Sequence, residues 1–386
     1  MNPLFVRAER YSSVRYVKVP VLLLILMLCL TAVDYRTAEG GSKLVVIFLA
    51  CSTLFLGVLL NIVQSKWNRI AVNIFVVGLL FVLVAMLSGL VRRQELFDVL
   101  AMSMPFLLFL SVLVGISSIE QNFDKKQFVS LIFFFCIASV VFKLLFAFVY
   151  YDLNFSTVRY QIISPAVVLL FSYGVASFFL RFGRYRYVAL LLPVLVVLIS
   201  VTRSYLVIYF FVIVFWLCCI PFRRLAFFFK KGFFLGVSLF FAFTLFLYLN
   251  DGMFERWFVR LFTGVEDHGI DVTAVTRLAE AHYQLRQLTA GVSNAVFGLG
   301  IAAETRFAAE YIEILQVVFR DDFEYVGKGF GHNNYVGLFY TGGFLFGSAF
   351  IVRIFFELFR SVMFFRRHKL LNSLDVEGTF LLAWGT

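Results

Sequence analysis

Residues 70–90 read IAVNIFVVGLLFVLVAMLSGL and carry no charged side chain. An apolar run of roughly 18 or more residues can cross a membrane as a helix, because about 20 residues at 1.5 Å rise span the hydrocarbon core. Runs of the same kind lie on both sides of it, among them VLLLILMLCL at 21–30 and LIFFFCIASVVF at 131–142. Together they predict spans at 19–33, 43–63, 70–90, 99–119, 128–150, 162–180, 187–201, 204–220, 232–249 and 334–357. An eleventh begins near Gly378 and breaks off within FLLAWGT, as a truncated span would. The expected fold is all-α, a polytopic transmembrane helix bundle of about 11 or 12 spans.

Composition points the same way. Of 386 residues, 62% are hydrophobic and 15% charged, with 52 phenylalanines and a mean hydropathy of +0.92. A soluble domain is nearer half apolar and a quarter charged. The net charge of +11 does not read as a nucleic-acid footprint, because the basic residues form short clusters between apolar runs. Cys29, Cys51, Cys136, Cys218 and Cys219 all fall in or beside predicted spans, which fits neither a disulfide framework nor metal-ligand spacing. Arg7, Arg10, Arg15 and Lys18 precede the run at 19–33, which has no small-x-small cleavage site; it reads as an uncleaved first span.

Lys and Arg alternate between loops. With the N-terminus inside, the inside segments carry 19 of them and the short outside segments 6. This bias sets orientation and places residues 250–333 outside. That segment holds 12 of the 23 acidic residues and three of the four histidines. The expected organisation is spans one to nine over 1–249, an outside loop over 250–333, and C-terminal spans over 334–386. Within the loop, FERWFVRLF at 254–262 suits an interfacial helix. A helix over 273–289 is expected to place Val275, Leu278, His282, Leu285 and Leu288 on one stripe, and another over 305–319 to align Phe307, Tyr311, Ile314, Leu315 and Val318.

The chain has no nucleotide-binding P-loop, GxSxG or HExxH, and no cofactor motif. No acidic residue lies mid-span, which counts against proton-coupled transport. The candidates that remain are cations and one histidine. Arg203 sits in VTRSY between two spans, and Arg159 in VRYQIISP; either could be a snorkelling interfacial arginine. Arg277 and Arg286 lie on the loop helix, where a solvated face or pairing with Glu280 is the plainer account. Guanidinium forks nevertheless suit a pyrophosphate. His332 in GHNNY precedes the tenth span. It could serve as a general base or simply bond backbone at a helix start. Gly298 and Gly300 of FGLG fit either a simple turn or a close backbone approach to a ligand.

Read in order, TRLAEAHYQLRQL (276–288), FGLG (297–300) and GHNNYVGLFYTGGFLFG (331–347) resemble the O-antigen ligase and O-antigen polymerase superfamily of bacterial envelope biogenesis. The resemblance covers roughly residues 270–350. Arg203 matches an outside-edge arginine of that family. Arg159 matches less well, since Ile-Ile-Ser-Pro-Ala follows where members carry asparagines. The resemblance implies a GT-C-like, metal-independent inverting glycosyltransferase at the periplasmic face of the inner membrane. Its donor would be a glycan on undecaprenyl pyrophosphate, and its acceptor lipid A-core or a lipid-linked repeat unit. It implies His332 as general base, Asn333 orienting it or the acceptor, and Arg203 and Arg277 on the pyrophosphate. Two other classes compete: a transporter of envelope lipid or anion, which the mid-span Lys143 favours, and a non-catalytic scaffold.

Overall fold

The computed structural model describes residues 69–120, 125–150, 165–180, 186–200, 202–219, 265–266, 270–319, 326–330 and 334–368, with isolated positions between them. These residues are mostly helical. Six helices come first: α1 (Arg69–Val91), α2 (Leu96–Glu120), α3 (Lys125–Tyr150), α4 (Pro165–Leu180), α5 (Arg186–Ser200) and α6 (Arg203–Cys219). Two-residue strands β1 (Val265–Glu266) and β2 (Ile270–Asp271) lead into α7 (Val272–Thr289) and α8 (Val292–Phe297). Then follow β3 (Glu304–Thr305), a 3-10 turn at Ala309–Tyr311, α9 (Ile312–Phe319), β4 (Gly327–Lys328) and α10 (Asn334–His368). The strands pair antiparallel as β1–β2 and β3–β4. The spans predicted at 19–33, 43–63 and beyond 378 lie outside the described residues, as does most of 232–249.

Within α1 and α10, Val72–Val91 and Tyr335–Arg360 are long and apolar enough to cross a membrane. Their outer surfaces suit lipid: Leu83, Leu87 and Leu90 on α1 and Phe355, Phe356 and Phe359 on α10 are exposed.

The chain divides into two compact units. The first contains α3 to α6, with α4 packed against the other three. The small residues Ala166, Gly174, Ala176 and Ser177 of α4 are buried and let its neighbours approach closely. A Cβ on Gly174 would lie 2.8 Å from the Ala189 carbonyl carbon of α5. Phe171 stacks on Tyr209 at 3.7 Å between ring centroids. Trp257 anchors here too, its indole Nε1 donating to Leu198 O at 3.0 Å. Gly174→Val is therefore expected to cost about 1–3 kcal/mol through overpacking, visible as a lower midpoint in a thermal unfolding scan of detergent-solubilised protein.

The second unit contains α1, most of α2, the segment from 262 onward and α10 as far as Glu357. Phe81 of α1 is its pivot. It is fully buried, stacked on Phe350 of α10 (5.3 Å) and tilted against Phe106 of α2 (5.5 Å). Phe106 in turn meets Phe330, which stands just before the GHNN motif (5.0 Å).

Three expectations need correcting. The inward face of α7 is not the predicted apolar stripe: Leu278 and Leu285 are exposed, while Glu280, Gln284 and Leu288 have no accessible surface. The helix predicted over 305–319 begins only at Ile312, because Glu304–Thr305 pairs with Gly327–Lys328 as a ribbon. The tenth span continues as helix to His368, so Glu357 lies inside α10 and not at its end.

Candidate functional site

The centre of the second unit is the FGLG turn and its seat between α1 and α10. α10 breaks at Gly343, whose φ of 74° and ψ of 169° are not helical. A break frees carbonyls on its N-terminal side from their usual helical partners. Two of them accept from the turn: Leu299 N–H donates to Tyr340 O (2.8 Å) and Gly300 N–H to Thr341 O (3.2 Å). On the other side, Ile301 N–H donates to Ala85 O of α1 (3.0 Å).

Side chains at the end of α1 complete the seat. Ser88 Oγ donates to Gly298 O (3.0 Å), and Arg92 Nη2 donates both to Gly298 O (3.3 Å) and to Asn294 Oδ1 (2.6 Å). Gln94 makes two complementary bonds: its Nε2 donates to Leu299 O (2.8 Å) and its Oε1 accepts from Ala302 N–H (3.2 Å). Gln94 reaches the turn because α1 ends in a Schellman motif. Gln94 N–H bonds Gly89 O and Arg93 N–H bonds Leu90 O, with Arg93 left-handed at φ 59°.

Both turn glycines have positive φ, 75° at Gly298 and 102° at Gly300. A Cβ on Gly298 would strike Thr341 and Gly343 backbone, and one on Gly300 the Gly89 backbone. Their lack of a side chain admits protein backbone on both sides.

α7 is fastened to the same assembly through a buried amide. Gln284 Nε2 donates to Thr305 Oγ1 (3.0 Å) and to Phe330 O (3.2 Å). Tyr340 OH closes the circuit by donating to Glu304 O (2.5 Å). Phe330 lies against Gly337 of α10, where a Cβ would come within 2.7 Å of the Phe330 Cα. Phe330 and Gly337, which flank the GHNN motif in sequence, are therefore in contact. His332 and Asn333 themselves lie outside the described residues, as does Arg159.

The two candidate arginines of α7 part company. Nine positions at about 100° each put them about 180° apart around the helix. Arg277 is seven positions before Gln284 and shares its stripe, emerging exposed beyond the buried part. No hydrogen-bond or ion-pair partner for it occurs among the described residues. Arg286 is on the outer face and donates to Glu310 Oε2 at 3.0 Å, not to Glu280. His282, one turn earlier, meets Tyr311 OH at 3.0 Å and Glu310 Oε1 at 3.5 Å. Glu310 is held below the ordinary glutamate range by its own backbone hydrogen bond, then by Arg286 and His282. A lowered carboxylate pKa contributes stability above the unfolded value, and that contribution is lost as pH falls through the folded value. Acidification below the ordinary glutamate range, or Glu310→Gln at neutral pH, is expected to loosen the 309–311 turn from α7. Hydrogen exchange over 282–311 is the check.

Elsewhere in the unit, Lys328 Nζ donates to Asp98 Oδ2 at 2.5 Å, which holds the lysine above its ordinary range. It ties β4 to the first turn of α2. Arg203, in the first unit, is the first residue of α6 and half-buried. A cation at the positive end of a helix gains nothing from the macrodipole, so helix stability does not account for it.

Sequence reasoning passed over Ser88, Gln94 and Gln284. Gln284 sits one turn from Glu280, and two polar residues four apart on a helix with a buried face were the available signal. Compared with family models, with curated proteins and with solved structures, the chain matches none of them.

Proposed function

We propose that the chain transfers a glycan from undecaprenyl pyrophosphate to a saccharide acceptor at the periplasmic face of a bacterial inner membrane. It would do so as a metal-independent inverting glycosyltransferase within a bundle of about 11 or 12 spans, N-terminus cytoplasmic. The O-antigen ligase assignment, with lipid A-core as acceptor, stands ahead of the polymerase assignment, with a lipid-linked repeat unit as acceptor.

One observation carries the proposal. Three pieces separated in sequence, the arginine helix, FGLG and the GHNN helix, are fastened to one another by Gln284–Phe330, Leu299–Tyr340 and Gly300–Thr341 hydrogen bonds. A resemblance scattered along a chain gains weight when its parts are hydrogen-bonded to one another. In this reading His332 removes the proton from the acceptor hydroxyl, and Asn333 orients the base or the acceptor. Arg277 neutralises the departing pyrophosphate. Arg286, paired with Glu310 on the opposite face, serves the fold and not the donor.

The test is lipopolysaccharide analysed by gel in a deletion strain complemented with wild type or variants. Loss of all O-antigen from the core, with lipid-linked polymer accumulating, identifies a ligase. A core bearing a single repeat unit identifies a polymerase. Arg277→Ala is expected to weaken donor binding and Arg286→Ala to leave it unchanged; equal donor affinity in both variants overturns the pyrophosphate assignment.

A transporter of envelope lipid or anion is the second reading, favoured by one feature of α10. Arg353 Nη2 is hydrogen-bonded to Glu357 Oε1, and Glu357 is only 2% exposed within the apolar stretch Tyr335–Arg360. Charged groups at such positions often mark a transport path. The broken backbone at Gly343 does not add to this reading, since its freed carbonyls are occupied by Leu299 and Gly300. Flux of an anionic lipid in proteoliposomes, abolished by Glu357→Gln, would decide for transport.

A further inference from the structure

We propose that residues 291–303, GVSNAVFGLGIAA, form a re-entrant segment that enters the membrane from the loop side and returns to it. The inference rests on α1 and α10 crossing a membrane and not on the transferase assignment.

Three independent observations support it. The first is composition. From Gln287 to Ala303 the chain has no charged residue, although it runs through the most acidic part of the sequence. Apolar stretches of this length, too short to span, are the kind found in re-entrant or interfacial segments.

The second is depth. The turn does not sit on top of the helix ends. Ile301 bonds Ala85, six residues before the end of α1, which is about 9 Å along the axis at 1.5 Å per residue. Phe297 stacks on Phe346 at 6.2 Å between centroids. Phe346 lies beyond the Gly343 break and eleven residues into the apolar stretch that starts at Tyr335. The same segment therefore meets both membrane-length helices below their ends.

The third is backbone satisfaction. Irregular backbone at membrane depth is tolerated only where its polar groups are paired inside the protein. Every N–H from Gly298 to Ala303 has a partner: Asn294 O, Tyr340 O, Thr341 O, Ala85 O, Gln94 Oε1 and Gly300 O in that order. A loop in water has no need of such complete pairing. The apolar side chains on the same segment remain open, Val292 at 82% and Phe297 at 47% exposure. Lipid acyl chains and the headgroup boundary fit those side chains, as they fit the exposed Leu87 and Leu90 of α1 and Leu345 of α10.

Spin labels test this in the full chain, with its five native cysteines replaced and reconstituted in liposomes. Labels go at Val292→Cys, Phe297→Cys, Leu87→Cys as the spanning-helix reference and Ala309→Cys as the water reference. Collision with oxygen, which partitions into lipid, is compared with collision with a water-soluble nickel chelate. The expected result is an oxygen-to-nickel ratio at positions 292 and 297 several-fold above that at 309 and approaching that at 87. Val292→Cys touches little, so it reports even if Phe297→Cys fails to fold. Ratios at 292 and 297 equal to that at 309, with 87 lipid-exposed, overturn this proposal alone. Nickel access at 87 equal to that at 309 overturns the membrane reading and this proposal with it.

Discussion

His332→Ala is expected to lower glycan transfer by about 10²–10⁴-fold, the contribution of a general base, while leaving the protein folded. A sugar hydroxyl is a weak nucleophile near neutral pH, and the sequence offers no metal-ligand spacing to activate it. A histidine has the pKa for the task. His282 is already engaged by Tyr311 and Glu310 on the outward face of α7. Phe330 and Gly337, which flank the GHNN motif in sequence, are in contact, and Phe330 O accepts from the Gln284 amide. Transfer from a purified lipid-linked donor, measured across pH, separates the outcomes. Loss of rate with unchanged donor affinity and an unchanged melting midpoint is the expected result. A variant with wild-type rate ends the assignment of His332 as base. A variant with normal rate at saturation but weak donor binding would move His332 from the proton to the pyrophosphate.

The sequence read the helices well and their inward faces poorly, for physical reasons. Helices expected at 70–90, 187–201 and 204–220 are found at 69–91, 186–200 and 203–219, the first of them long and apolar enough to cross a membrane. Length and apolarity determine a spanning helix, and both are local properties. The face of α7 is different. Its leucines recur at helical spacing, yet Leu278 and Leu285 are exposed while Leu288 and Gln284 are buried. Here the inner face meets a buried hydroxyl and a loop carbonyl that need a donor, Thr305 Oγ1 and Phe330 O, and Gln284 supplies it. Ser88, Arg92 and Gln94 were passed over as binding groups for a related reason. At the end of a span they read as topology signals or as nothing, because their partners lie about 200 residues away. The glycines were legible as a turn, but that they exclude side chains on two opposite sides was not.

Gly298→Ala and Gly343→Ala are each expected to destabilise the protein by about 2–6 kcal/mol, and together by clearly less than the sum. Two costs add at each site. Gly298 has φ 75° and ψ −175°, and Gly343 has φ 74° and ψ 169°; that region is essentially restricted to glycine, and forcing another residue there costs about 1–3 kcal/mol. The space is also closed. A Cβ on Gly298 would meet Thr341 and Gly343 backbone, and one on Gly343 would meet Val296 O and Gly298 N. Backbone cannot step aside as a flexible side chain can, so overpacking adds about 1–3 kcal/mol more. The non-additivity follows because the two glycines close on each other. Once one substitution has pushed the turn off α10, the second meets a gap already opened. Groups in contact show interaction energies of about 0.5–3 kcal/mol in such cycles. Gly291, extended at φ −170° with nothing within 4 Å of an added Cβ, is the control and is expected to tolerate alanine. Denaturant titrations of the two single variants, the double and Gly291→Ala, in one detergent, measure all four. Additive losses at 298 and 343 would mean that the turn and the helix break are stabilised separately, and the interlocked motif would no longer support a single site.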